Sequence, residues 1–226
     1  MAEQLVYFGS DIDDSIVHSG EHTLDAINAE FGTALTLLNW YEEPFDKVAW
    51  GMEQKVSWGL VNEILHSQVF IDAVQIVKGA REFARFMTEQ EQRLGTSTGR
   101  PETPSNIAFT HALLEQRFDG LFPSNTFFSD HFGQVNGIPG SKVPIAINEG
   151  FTHIADDHKK HVNGLAEIPV KPYLLDRPWN QGEVHPRVIR VPDFDAIAED
   201  VARDIEILGS LEPVDRVRYL QGLISL

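Results

Sequence analysis

Short apolar runs along the chain alternate with stretches in which apolar residues recur every three or four positions. This alternation predicts a parallel sheet with covering helices, because crossover helices bury both faces of the strands they connect. Leu5-Val6-Tyr7-Phe8 is the first run; it ends in Gly9-Ser10 and then acid, and it predicts the central strand. From about 21 to 68 no strand pattern appears. Leu24, Ile27 and Phe31, and later Val61, Ile64 and Leu65, recur instead at helical spacing, which predicts a helical insertion. The pattern then predicts a helix over 79–87, a strand over 93–98, an amphipathic helix over 106–118 and a helix from a Ser141 cap to 148. Strands over 151–155, 170–175 and 188–191 follow, and a helix over 194–208.

Composition changes this picture in three ways. With 226 residues and 42% hydrophobic content, the chain can bury one α/β core and a modest insertion. Lys plus Arg number 18 against 34 Asp plus Glu, a formal charge of −16 that repels nucleic-acid polymers and anionic membranes. A phosphorylated substrate therefore needs local help from a divalent cation and a few placed basic groups, and carboxylates are hard oxygen ligands for such an ion. The absence of cysteine removes disulfides, thiolate zinc sites and cysteine nucleophiles together. No basic segment followed by an apolar one opens the sequence, and no apolar run approaches membrane-spanning length, so a cytoplasmic protein without a membrane partner is expected.

Ligands of open α/β sheets bind beyond the carboxyl ends of the strands, and three expected strand ends carry related chemistry. The first gives Asp11-Ile12-Asp13-Asp14-Ser15, the second Thr96-Ser97-Thr98-Gly99-Arg100 and the third Asp156-Asp157, with Lys142 on the preceding helix. Residues two apart in an extended segment face the same way, so Asp11 and Asp13 can address one small volume. Taken singly, the Asp cluster reads as turn residues, Lys142 as a solvated lysine and Thr98 as a loop hydroxyl. Their occurrence together and in order favours an active site. Asp11-x-Asp13-x-Ser15 is not a calcium loop, since its sixth position is Ile16 and its twelfth His22. Gly140-Ser141-Lys142 lacks the glycine spacing of a nucleotide P-loop. The nine histidines show no metal-ligand spacing; His158-Lys159-Lys160-His161 reads as a solvated helical face, and Arg177 and Trp179 as a structured turn.

At these residues the sequence resembles the haloacid-dehalogenase-like (HAD) phosphohydrolases. The shared signature is a hydrophobic strand followed by Asp11-x-Asp13-x-Ser15, then Thr98, Lys142 and the Asp156-Asp157 pair. Thr98-Gly99-Arg100-Pro101 and Leu174-Leu175-Asp176-Arg177-Pro178-Trp179-Asn180 are closest in appearance to the 5′(3′)-deoxyribonucleotidases. The resemblance implies a three-layer, Rossmann-like α/β core formed by residues 1–15 and 69–226, with a small helical cap, residues 16–68, inserted after the first strand. It implies a phosphomonoesterase with Asp11 as nucleophile and Asp13 as acid and base. It further implies Mg2+ held by Asp11, the Asp13 carbonyl and one of Asp156 and Asp157, Asp157 first. Thr98 and Lys142 would bind the phosphoryl group, with Thr96 or Ser97 as rivals to Thr98. Asp14 departs from the pattern, standing where glycine is usual. The implied partner is a small phosphorylated substrate, with nucleoside monophosphates and sugar phosphates as the enzymatic alternatives and a noncatalytic binding domain as a third reading. The insertion is rich in aromatics, and Trp40, Trp50 and Trp58 are the candidates to stack a base.

Overall fold

The protein is described here as a computed structural model covering residues 3–37, 63–122, 126–129 and 141–222. Six parallel strands form one sheet, in sequence order β1 Tyr7–Ser10, β2 Arg93–Thr98, β3 Thr126–Phe128, β4 His153–Asp156, β5 Lys171–Leu175 and β6 Ile189–Val191. Their spatial order is 3-2-1-4-5-6, so β1 is central and the chain runs outward from it in both directions. The point where that direction reverses lies at the carboxyl end of β1, where open sheets of this order bind their ligands.

The described helices are α1 Ser19–Phe31, α2 Gln68–Ala73, α3 Ala80–Glu89, α4 Pro104–Phe118, α5 Val143–Glu149, α6 Lys159–Leu165, α7 Phe194–Ser210 and α8 Pro213–Leu220. Among them no helix is long and apolar enough to cross a membrane. α3 buries Ala80, Phe83, Ala84 and Met87, and α7 buries Phe194, Ile197, Val201 and Leu208, each a single stripe at helical spacing. Local chemistry sets the helix starts: the Thr103 hydroxyl accepts from Asn106 N–H before α4, and the Asp193 carboxylate accepts from Asp195 and Ala196 N–H before α7.

The layers follow from the alternation of the strands. On β1, Phe8 enters the larger core with Phe83, Tyr173 and Phe194, while Tyr7 faces the other way to join Phe151, Ile154, Leu165 and Val170. The first strand lies two residues later than its apolar run suggests, because Gly9 and Ser10 are part of it. Gly9 pairs in register with Gly95 of β2, and the Phe151 ring lies across both. A Cβ on Gly9 would come 3.0 Å from that ring. Three elements fall outside the sequence expectation: the short helix α2, β3 and α8. β3 has only three half-buried edge residues, too few to show a period, and α8 is polar and buries only Leu220. Trp40, Trp50 and Trp58 lie outside the described residues. Ile16 and Val17, the first two positions of the expected insertion, pack in the main core.

A buried polar network fastens the far end of the sheet. The Asp204 carboxylate on α7 accepts from His153 Nε2 at 2.8 Å, Lys171 Nζ at 2.6 Å and the Tyr219 hydroxyl at 2.7 Å, joining β4, β5, α7 and α8. Burial depresses the His153 pKa, and Asp204 opposes that only in part. Burial also works to raise the Asp204 pKa, but the bonds and charges of His153 and Lys171 prevail and bring it down to about 2. Both folded-state values lie below the unfolded ones, so this stabilisation is complete at neutral pH. The His153 share is lost as pH falls below about 6.5, and the Asp204 share as it falls from about 4 through 2. Asp204→Ala strands buried donors and is expected to cost about 3 kcal/mol in urea unfolding; a loss below about 1 kcal/mol would show the network to be incidental. His153→Gln should flatten the fall in stability between pH 7 and 5.5.

Candidate active site

The loop after β1 is built tightly. Asp11 N–H donates to Ala155 O at 2.9 Å, extending the pairing with β4 beyond the strand and seating Asp11 against the acidic pair. The carbonyl of Ile12 then accepts from the N–H groups of Ser15, Ile16 and Val17, a turn that reverses the chain. Asp14 takes a left-handed conformation at φ 55°, the backbone for which glycine is usual. Its side chain gives a reason for the departure. Asp14 Oδ1 accepts from Gly20 N–H at 2.9 Å, capping α1 from the loop after β1, where the preceding His18 makes no side-chain cap.

Lys142 ties the three strand ends together. It sits at the amino-terminal cap position of α5, fully buried, with Nζ 2.7 Å from Asp11 Oδ1 and 2.6 Å from Asp156 Oδ2. Burial opposes its charge, yet the two carboxylates outweigh burial and raise its pKa, so it is a cation. Burial pushes the Asp11 carboxyl up to about 6, with Asp156 and Asp13 adding repulsion against the pull of Lys142. Asp156 is held far below the usual carboxylate range despite its burial. It accepts from Lys142, from His161 Nδ1 at 3.0 Å and, through Oδ1, from His158 N–H at 2.7 Å.

Asp13 is gripped from the second strand. Arg100 donates through Nε to Asp13 Oδ2 at 2.9 Å and through Nη2 to Oδ1 at 2.7 Å. Burial works to raise the Asp13 pKa, but Arg100, Ser19 and Lys142 outweigh it and the carboxyl lies below its ordinary range. Thr98 is buried at the end of β2, where its hydroxyl accepts from Arg100 N–H at 3.2 Å. The Thr96 hydroxyl is bonded to Thr126 at 2.8 Å, whereas the buried Ser97 hydroxyl has no hydrogen-bond partner among the described residues. The contacts of Thr98 thus lead to the acidic cluster through Arg100.

The expected turn after β5 is present, as a 3₁₀ turn over Pro178–Asn180, and it also builds the site. Trp179 Nε1 donates to Asp157 Oδ2 at 2.9 Å, Asn180 Nδ2 donates to the Asp157 carbonyl at 2.7 Å, and Arg177 Nε donates to the Asp14 carbonyl at 3.1 Å. His161 requires a correction. It is buried against Asp156 rather than lying on a solvated face, since its position five residues on, across the first turn of α6, turns it back toward the end of β4. Arg100, His161, Trp179 and Asn180 were not assigned to the site from the sequence, although Arg100 and the turn lie inside the two stretches that carried the resemblance.

Oxygens of Asp11, Asp156 and Asp157 lie within 4.8 Å of one another, and all three residues are buried. Burial, then the charges of Asp156, Asp11 and Asp14, drive the Asp157 pKa well up. A bound cation would relieve that repulsion. Hard carboxylate oxygens without thiolates suit Mg2+, so the residues fit the ion. Asp156 is already committed to Lys142, His161 and His158, which leaves Asp11 and Asp157 as the better-placed ligands.

No protein-family model and no curated protein matches the sequence. Solved structures do match the fold. A haloacid dehalogenase-like family hydrolase from Xanthomonas campestris is 15% identical with a TM-score of 0.54, over 92% of this chain and 100% of that one. A predicted phosphoglycolate phosphatase from Haemophilus somnus is 15% identical with a TM-score of 0.60, over 89% and 100%. The magnesium-bound HAD hydrolase YfnB from Bacillus subtilis is 12% identical with a TM-score of 0.59, over 88% and 100%. The chain therefore has the three-layer α/β fold of the HAD-type hydrolases.

Proposed function

We propose that this chain is a magnesium-dependent phosphomonoesterase working through an aspartyl-phosphate on Asp11, with deoxyribonucleoside monophosphates as substrates. The observation that carries the reading is the fully buried Lys142 bridging Asp11 and Asp156, with Asp157 within shared ligand distance. A binding domain alone has no use for a nucleophile and an acid two residues apart. The haloacid-dehalogenase-like fold supports the same chemistry.

Asp11 would attack phosphorus with one carboxylate oxygen while the leaving alkoxide takes a proton from Asp13. Asp13 would then accept a proton from water as that water attacks the phosphorus of the acyl-phosphate, releasing phosphate and restoring Asp11. Lys142 and Thr98 would hold the phosphoryl oxygens, over which charge spreads in the loose transition state. Asp11, Asp157 and the Asp13 carbonyl would hold the magnesium, whose charge screens carboxylate from phosphate. Asp156 would act through Lys142, fixing the position of its ammonium group. Residues 16–68 would form the cap, and Trp40, Trp50 and Trp58 would offer faces for the base. The similarity to a predicted phosphoglycolate phosphatase favours one second reading, a small phosphate ester without a base.

Asp11→Asn is expected to cut phosphate release by about a thousandfold or more, near 4 kcal/mol of barrier, with the fold intact by circular dichroism. Activity within about tenfold of wild type would refute the nucleophile. Magnesium should raise the melting temperature of the wild type, by about 2.7 kcal/mol of stability at a hundred times its dissociation constant. In Asp157→Asn that shift should vanish, and a chelator should stop turnover reversibly; full activity in the chelator would remove the metal. In a substrate panel, deoxyribonucleoside monophosphates should exceed sugar phosphates about tenfold or more in kcat/KM, the value of one stacked base. At least one of Trp40→Leu, Trp50→Leu and Trp58→Leu should lose that ratio while keeping its rate on an aryl phosphate. Equal rates throughout would leave the phosphatase and discard the nucleotidase.

A further inference from the structure

We infer that Arg100 is a positioning residue for Asp13, and that its two-point grip governs turnover of substrates whose leaving group needs a proton. The inference rests on the phosphomonoesterase reading above. In that reaction the Asp11 oxygen bonds to phosphorus as the bond from phosphorus to the leaving oxygen breaks. The electron pair of the broken bond goes to the leaving oxygen, which takes the proton from Asp13; because Arg100 keeps Asp13 a carboxylate in the free protein, Asp13 must take up that proton once the substrate is bound. The step needs a carboxyl group held at a fixed angle, and the Asp13 side chain is 30% exposed, so packing does not fix its plane.

Arg100 supplies what packing does not. Its two donors meet the two carboxylate oxygens at 2.9 and 2.7 Å, the fork arrangement that sets a carboxylate plane as well as its place. The arginine is itself immobilised. Its side chain is 7% exposed, Nη1 donates to the Thr110 hydroxyl at 3.1 Å, and the guanidinium lies 5.3 Å from the Phe109 ring centroid on α4. Its backbone N–H is held by the Thr98 hydroxyl, so the grip originates at the end of β2. The His66 ring also packs edge-on against Phe109, at 5.1 Å between ring centroids, joining the segment before α2 to the same aromatic cluster. Asp13 is thus referenced to β2 and α4 as well as to Ser19 at the start of α1.

The plain alternative is that Arg100 is a buried cation and Asp13 only its counter-ion. Kinetics separate the two. Arg100→Lys keeps the charge and loses the fork; Arg100→Ala removes both. Both variants are measured on p-nitrophenyl phosphate, whose leaving group needs little protonation, and on the best alkyl phosphate of the panel. Arg100→Ala is expected to lose about a hundredfold in kcat on the alkyl ester and less than about tenfold on the aryl ester, with KM within about threefold on both. Arg100→Lys should show the same skew to a smaller degree. Millimolar guanidinium should restore part of the alkyl rate to Arg100→Ala and none to Arg100→Ala combined with Asp13→Asn. Equal losses on the two esters, or a rise in KM alone, would overturn the inference. Should Arg100→Ala fail to fold by circular dichroism, the alkyl-to-aryl ratio of Arg100→Lys decides by itself. Asp11→Asn runs in parallel: activity in that variant, or none in wild type on any ester, strikes the phosphomonoesterase reading, whereas a dead Asp11→Asn with an unskewed Arg100 series strikes only the role of Arg100.

Discussion

Everything in the site hangs on one buried ammonium group. The Lys142 side chain has no exposed surface and sits between Asp11 and Asp156 at hydrogen-bond distance from both. Desolvating a lysine is costly, and it is tolerated only where opposite charge and hydrogen bonds meet it. The three residues come from the end of β1, the start of α5 and the end of β4, so the charge balance can be met only when the sheet is assembled in the right register. The same balance leaves an excess of acid at Asp157, where a further cation would relieve the repulsion.

Charged groups elsewhere follow the same logic. Asp13 is answered by Arg100, Asp204 by His153 and Lys171, and the left-handed Asp14 by the N–H of Gly20. In a chain with a net charge of −16, acids outnumber bases nearly two to one, so Lys and Arg cannot answer every acid. The basic residues available to the interior lie where they bridge elements that are distant in sequence: Lys142 joins β1 to β4, Arg100 joins β2 to the first loop, and Arg177 joins the turn after β5 to the same loop.

The strands and long helices were legible because burial on one or both faces writes a period into the sequence; β2, β4, β5, α3, α4 and α7 all emerged close to their places. The acids and the lysine of the site were legible because strand ends put chemistry next to punctuation. What escaped had no period to display. β3 is too short, α8 buries one residue, and the partners of Asp13, Asp156 and Asp157 lie 87, 5 and 22 positions away in the chain. Arg100, His161 and Trp179 resemble any surface arginine, helical histidine or turn tryptophan until the sheet brings them to their carboxylates. His161 illustrates the point, since two adjacent lysines made its neighbourhood look solvated while its own ring turned inward.

The ring of Phe151 lying across Gly9 and Gly95 links three positions that are far apart in the chain. The two glycines belong to the strands that deliver Asp11 and Thr98, and the aromatic face substitutes for the side chains they lack. Exchange at any one of the three is therefore bound to the other two. A methyl group on Gly9 crowds Phe151 at 3.0 Å and one on Gly95 crowds Tyr7 at 3.1 Å and Phe151 at 3.3 Å, while a smaller residue at 151 opens a void over both strands. Substitution at any of these positions disturbs the others, and the spacing between Asp11 and Thr98 inherits that stiffness.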